Sequence, residues 1–260
     1  MSGKNHDGKI FLLDLDGTLG LSLIPEEDAI LETLDFIGSE VARRFNKKID
    51  RGTLYDLYVE TKKEQYRLYP LNPKRHDKNL RWEMLLRKLG EKLGCEISEE
   101  LFEDVKKVYW NLFESKARPY PDTHETLEKL MEKFNVVIVT NNDYAEAKKK
   151  IKLFGLEEGK HYDVLVTSED FNVCKPSQEF LEKLIPFLEE KLGRRVKPEH
   201  IVVVGDDPIN DIAWAKSAGL KAIRVKRDLL APREPNNEKE KADYDIEKLF
   251  ELLEISEKIQ

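Results

Sequence analysis

The sequence predicts an α/β protein: a doubly wound parallel sheet with an all-helical domain inserted after its first strand. Three observations predict it. Short β-rich runs alternate with helix-period segments over most of the chain, the pattern of a parallel sheet flanked by helices. The runs around Val137 and Val203 are continuously apolar, as expected of strands covered on both faces. Between the first run and the second, only helical periodicity is found, over a distance far beyond an ordinary connection.

The first strand is read at Ile10-Phe11-Leu12-Leu13, and the others at Val136 to Val139, Val164 to Val166, Ile201 to Val204 and Ala222 to Val225. Thr123 is placed to cap a helix through Leu127, Leu130 and Met131. Further helices are read at Ala145 to Phe154, at Gln178 to Leu192 interrupted or kinked at Pro186, and at Asp211 to Ser217 with Gly219 as the stop. Ala231 to Ala242, with Pro232 and Pro235, reads as a solvated loop before a final helix.

The insertion shows four helical stripes. Ile30, Leu34, Ile37, Val41 and Phe45 form one, and Leu54, Leu57 and Tyr58 a weaker second. Leu85, Leu89 and Leu93 form a third, and Leu101, Val105, Val108 and Leu112 a fourth. The boundaries predicted are 1–18 with 118–260 for the α/β core, and 19–117 for the helical domain.

Composition narrows the function. Of the 260 residues, 37% are charged, against about 25% in an average globular chain. Lys+Arg total 44 and Asp+Glu 51, a net charge of −7, which argues against a general nucleic-acid binder. Interspersed charges and periodic apolar residues argue against disorder. No apolar run is long enough to span a bilayer. The run at Ile10 to Leu13 is short, ends in Asp14 and lacks a cleavage pattern, so it is not read as a signal peptide. Cys95 and Cys174 stand apart, outside metal-ligand spacing, and read as reduced thiols. A cytoplasmic, soluble protein is expected, as a monomer or small homo-oligomer.

The chemistry is written where the strands end, the edge at which open α/β sheets bind ligands. The first strand runs into Asp14-Leu15-Asp16-Gly17-Thr18-Leu19. The second ends in Thr140-Asn141-Asn142, the third leads to Lys175-Pro176, and the fourth ends in Gly205-Asp206-Asp207 with Asn210-Asp211 following. Such a gathering of carboxylates is unfavourable without a counter-ion. A hard divalent cation such as Mg²⁺ suits a few carboxylates together with phosphate oxygens. Lys175 adds a positive charge, and Thr140 with nearby backbone N–H groups is placed to hold phosphoryl oxygens.

These motifs, in this order, resemble the four motifs of the haloacid dehalogenase (HAD) superfamily: Asp14 to Leu19, Thr140, Lys175-Pro176, and Gly205 to Asp211. The resemblance covers nearly the whole chain and includes the helical cap after the first motif. It implies a Rossmann-like core and a Mg²⁺-dependent phosphatase acting on a small phosphorylated metabolite, with no nucleic-acid or membrane partner. It makes Asp14 the nucleophile that forms an aspartyl-phosphate, and Asp16 the general acid and then base. Thr140 and Lys175 complete the catalytic set, with Gly17, Thr18 and Asn141 at the substrate. Asp14, the Asp16 carbonyl and Asp206 would hold the metal, with Asp207 and Asp211 alongside. The dehalogenases that attack carbon lack the second carboxylate, so Asp16 favours phosphoryl transfer.

In the cap, Arg67, Tyr69, Arg75, His76, Arg81 and Trp82 form a basic and aromatic concentration, from which Arg67 and Arg81 are taken as substrate-binding candidates. Leu19 to Leu23 is expected as hinge and flap, the cap closing over the site. Lys148-Lys149-Lys150 reads as an exposed helix face, and His124 and Cys174 as structural. Two rivals are a phosphomutase on the same scaffold and a phospho-acceptor signalling domain, which would lack both the long insertion and Asp16. A non-catalytic binding protein is a third.

Overall fold

The computed structural model describes residues 8–227 and 233–259. It divides into two compact units, Met1–Leu21 with Arg118–Gln260, and Ser22–Ala117. The first unit begins with β1 (Ile10–Leu13) and β2 (Gly20–Leu21). The second holds α1 (Leu23–Phe45), α2 (Arg51–Leu68), α3 (Lys78–Leu93) and α4 (Glu99–Lys116). The first unit then resumes with β3 (Arg118–Pro119), α5 (Thr123–Lys133), β4 (Asn135–Thr140), α6 (Tyr144–Leu153) and β5 (Val164–Thr167). It continues through α7 (Ser168–Phe171), α8 (Gln178–Leu192), β6 (Ile201–Gly205), a π-helical turn (Pro208–Ala213) and α9 (Trp214–Ser217). β7 (Lys221–Val225), β8 (Tyr244–Ile246) and α10 (Glu251–Lys258) complete it.

Six strands form one sheet in the order β5-β4-β1-β6-β7-β8, with every neighbouring pair parallel. Phe11 lies opposite Val136 and Val202, and Leu13 opposite Ile138 and Val204. That register places the carboxyl ends of β1, β4 and β6 side by side. Both faces are covered, because alternate residues point to opposite sides. Ile10, Leu12, Val137, Val139 and Val203 pack with Phe180, Leu184 and Trp214 in one buried cluster. Phe11 on the other face meets Phe134, ring centroids 5.3 Å apart. Each such aliphatic side chain contributes about 1.5–3 kcal/mol by leaving water.

The differences from sequence expectation have local causes. β8 is a sixth strand, unpredicted, just beyond the loop read at Ala231 to Ala242; of its three residues only Ile246 is buried, so backbone pairing with β7 defines it rather than an apolar run. Of the loop expected at Ala231 to Ala242, Ala231 and Pro232 lie outside the described residues. Helix α8 runs through Pro186 without a break. Asp122, not Thr123, stands at the start of α5, and the Thr123 hydroxyl instead donates to the Leu19 carbonyl at 2.7 Å. Leu19 to Leu21 group with the core rather than the insertion, because Gly20-Leu21 pair antiparallel with Arg118-Pro119.

In the helical unit, Asp50, Asp77 and Ser98 cap α2, α3 and α4, each side chain accepting from a first-turn backbone N–H. These contacts satisfy donors that a helix start leaves open. Trp82 is the centre of its core, between Tyr58 and Tyr109 at 5.3 and 5.5 Å. No helix of the described residues is long and apolar enough to cross a membrane.

Candidate active site

Asp14 follows β1 directly, and its backbone N–H still donates to the Val204 carbonyl at 2.9 Å. The chain then turns tightly: Leu19 and Gly20 donate to the Leu15 carbonyl, and Gly17 donates to that of Gly20. Gly17 takes a φ of +77°, and a Cβ there would stand 2.6 Å from Asp206 Oδ2. Only glycine combines that backbone with that approach.

Lys175 is the hub. It is 3% exposed, and its Nζ donates to Asp14 Oδ1 at 2.7 Å, Asp211 Oδ1 at 2.6 Å and the Val139 carbonyl at 3.0 Å. Asn141 fixes its backbone through a reciprocal pair: Lys175 N–H donates to Asn141 Oδ1, and Asn141 Nδ2 donates back to the Lys175 carbonyl. Asn141, expected at the substrate, therefore anchors the lysine loop to the end of β4. Thr140 is buried, its Oγ1 accepting from the Asn142 N–H at 3.2 Å.

Oxygens of Asp14, Asp206 and Asp211 lie within 4.8 Å of one another. Burial raises the Asp14 pKa to about 7; Lys175 opposes the rise, while Asp211 and Asp16 add to it. Burial likewise drives Asp206 well above the usual carboxylate range, reinforced by the charge of Asp14. Asp211 is raised by burial, with Lys175 pulling against it. Burial would depress Lys175, but Asp14 and Asp211 overcome this and hold it above an ordinary lysine. Three recessed carboxylates ionised together would exceed the one ammonium, and an all-oxygen donor set of this kind fits a hard divalent cation.

Thr18 is fully buried and donates to Asp206 Oδ1 at 3.3 Å. Asp207 is not among the clustered oxygens. Its Oδ1 accepts from the Ile209 and Asn210 N–H groups, so it caps the π-helical turn. Its own N–H donates to Asp211 Oδ2 at 3.1 Å. The Asp16 carboxylate is held elsewhere. Asn142 Nδ2 donates to its Oδ2 at 2.7 Å, and Lys150 Nζ reaches Oδ2 at 2.9 Å and Oδ1 at 2.8 Å.

Lys150 corrects the exposed-face expectation for Lys148 to Lys150. Lys148 and Lys149 are exposed, but Lys150 is 1% exposed and also pairs with Glu146 at 2.6 Å. The usable signal was periodic: Glu146 and Lys150 share a helical face with Ala147 and Ile151, all buried. Arg224, equally unforeseen, is buried and donates through Nε to the Asp206 carbonyl at 3.3 Å.

Of the helical-unit candidates, Arg67 is exposed on α2. Arg81 is 2% exposed, bound to Gln65, Tyr58 and the Arg75 carbonyl. Those contacts make it an interior tie of its own unit.

A family model described as haloacid dehalogenase-like hydrolase matches residues 9–219. A glyceraldehyde 3-phosphate phosphatase from Methanopyrus kandleri is 29% identical over 251 residues, 95% of this chain and 96% of that protein. A pyrophosphatase PpaX from Halalkalibacterium halodurans is 35% identical over 136 residues, 52% of this chain and 59% of that protein. The crystal structure of an HAD phosphatase from Thermococcus onnurineus matches with a TM-score of 0.64 at 28% identity, covering 95% of this chain and 97% of that one. With its strand-end aspartates, its buried lysine and a match spanning most of its length, the chain is a hydrolase belonging to the haloacid dehalogenase-like family.

Proposed function

We propose that this protein is a Mg²⁺-dependent phosphatase that hydrolyses a small phosphomonoester through an aspartyl-phosphate on Asp14. The observation that carries the proposal is the pairing of two differently held carboxylates two residues apart. Asp14 lies against Lys175 and the Asp206–Asp211 group, whereas Asp16 is gripped by Asn142 and Lys150. Two carboxylates in distinct surroundings can serve two distinct duties. The relatives named for glyceraldehyde 3-phosphate and pyrophosphate hydrolysis support phosphorus as the centre attacked.

On this reading, Asp14 attacks phosphorus and the bond to the ester oxygen breaks, while Asp16 gives that oxygen its proton. Asp16 then takes a proton from water as the water oxygen displaces Asp14. Lys175 holds the nucleophile's free rotation in check through Oδ1, and Thr18 fixes Asp206. Asp14, the Asp16 carbonyl and Asp206 would hold Mg²⁺, with Asp211 supporting. When bound, the ion would supply positive charge to offset that on the transferring phosphoryl group.

Phosphate release from a panel of small phosphorylated metabolites, with and without EDTA, tests this. Release should require Mg²⁺ and disappear in Asp14→Asn. Release that persists in Asp14→Asn, or isomerised product in place of phosphate, overturns it.

A further inference from the structure

We infer that Lys150, with Asn142, is the positioning device for Asp16: the two hold the general acid–base carboxylate in its working orientation. The inference rests on the phosphatase reading and adds to it residues outside the four motifs. An ammonium on a ten-residue helix carrying three successive lysines is ordinarily solvated. Here the third lysine is withdrawn from water, while its two neighbours are not. Its Nζ contacts both Asp16 oxygens, at 2.8 and 2.9 Å. Charge-assisted contacts of that length are roughly twice as strong as neutral ones.

The lysine is itself fixed from behind. Glu146, one helical turn earlier and 5% exposed, holds Nζ at 2.6 Å. The start of that turn is set in place by Asp143, whose Oδ1 accepts from the Glu146 N–H at 2.7 Å. Asn142, at the end of β4, closes on Oδ2 from the other side at 2.7 Å, and the Ser168 hydroxyl donates to its carbonyl at 3.1 Å. A single strand-to-helix segment thus delivers both grips on one carboxylate, and a chain Glu146–Lys150–Asp16–Asn142 leads from the helix to the reacting edge. Asp16 must act twice, first toward the leaving oxygen and then toward water. A carboxylate free to rotate would forfeit orientation at each step, and misplacement by about 1 Å can cost about 100-fold.

The test uses leaving groups, because only a poor one needs a proton. A glycerol monophosphate loses an alkoxide and depends on the Asp16 proton; dinitrophenyl phosphate loses a stable phenolate and does not. The ratio kcat/KM ends at the first irreversible step, so it isolates phosphoryl transfer to Asp14. In Lys150→Met, kcat/KM should fall about 10- to 100-fold for the alkyl substrate, a share of the ~10²–10⁴ that general acid–base catalysis supplies. For the aryl substrate it should stay within about threefold, since no proton is needed. Turnover at saturation should fall for both, because water attack still needs Asp16 as base. Lys150→Arg should recover most of the alkyl rate, and Lys148→Met should match the parent.

Asn142→Ala, which leaves the buried ion pair intact, should show the same leaving-group selectivity and serves if Lys150→Met does not fold. Equal losses on the two substrates in Asn142→Ala and Lys150→Met would reduce the lysine to a structural tie and overturn the inference, as would no loss at all. Failure of the phosphatase reading is distinguishable: it appears as phosphate release that survives Asp14→Asn, irrespective of residue 150.

Discussion

Replacing Gly17 with alanine tests whether the turn after β1 is shaped by the Asp206 carboxylate beside it. The substitution carries two separable penalties. Backbone conformation supplies the first: at φ +77°, an L side chain costs roughly 1–2 kcal/mol. Contact supplies the second. The new Cβ would lie 2.6 Å from Asp206 Oδ2, 2.8 Å from Cγ and 3.0 Å from Oδ1, where ordinary contact begins at 3.4 Å. Asp206 has little room to yield, being held by Thr18 at Oδ1 and by Arg224 at its backbone carbonyl. Its carboxylate must therefore shift by most of an ångström, enough for about a 100-fold loss of activity. Gly159 provides the control: its φ is +82°, and a Cβ placed there would have nothing within 4 Å. Gly159→Ala should lose the roughly 1–2 kcal/mol of backbone strain alone, with Mg²⁺ affinity and turnover unchanged. Gly17→Ala should lose at least as much stability and, in addition, bind Mg²⁺ more weakly. Urea unfolding and calorimetric Mg²⁺ titration of the two variants measure the two penalties independently. If Gly17→Ala binds Mg²⁺ and turns over like Gly159→Ala, close approach to Asp206 does not shape the site.

Three further outcomes are expected. Lys175→Met leaves Asp14 and Asp211 facing each other in the interior without their shared ammonium; breaking a buried pair costs about 3–5 kcal/mol, visible in urea unfolding, and phosphate release should be lost with it. Trp82→Ala, at a 1% exposed position between two tyrosines, should destabilise the helical unit by about 3–5 kcal/mol, read from near-ultraviolet circular dichroism and thermal unfolding. Burial pushes the His161 pKa below its ordinary 6.5, with His124 and Lys160 adding to the effect and Glu128 and Glu157 opposing it. Above 6.5 both folded and unfolded chains carry neutral His161; below it the unfolded chain binds a proton the folded one resists, so stability falls as pH drops. The fall in urea midpoint between about pH 7.5 and 5.5 should shrink in His161→Gln, and an undiminished fall would remove His161 from that role.

The strands that carry chemistry were legible in sequence because burial on both faces writes a continuous apolar run, as in Ile201 to Val204, and a polar motif follows each run where the sheet stops. The helices of the insertion were legible for the same reason, their buried faces repeating at helical spacing. Strand β8 was not, because three residues with one buried side chain leave no pattern; pairing with β7 makes them a strand.

Among the candidate site residues, Asp14, Thr140 and Asp206 could be placed at the strand ends from the sequence, since each closes or directly follows its apolar run, whereas Lys175 comes eight residues after β5, beyond α7. The sequence also pointed to a cation through the charge these residues concentrate. How these groups are divided follows from the folded chain. Asp207 turns to cap the π-helical turn, Asn141 ties down the lysine loop, and Arg81 is drawn into the interior of its own unit. Lys150 shows the limit most clearly: three consecutive lysines are chemically identical in sequence, and helical phase alone sends one inward to Asp16. Its burial is favourable only because Asp16, from a distant part of the chain, meets it there beside Glu146 of its own helix.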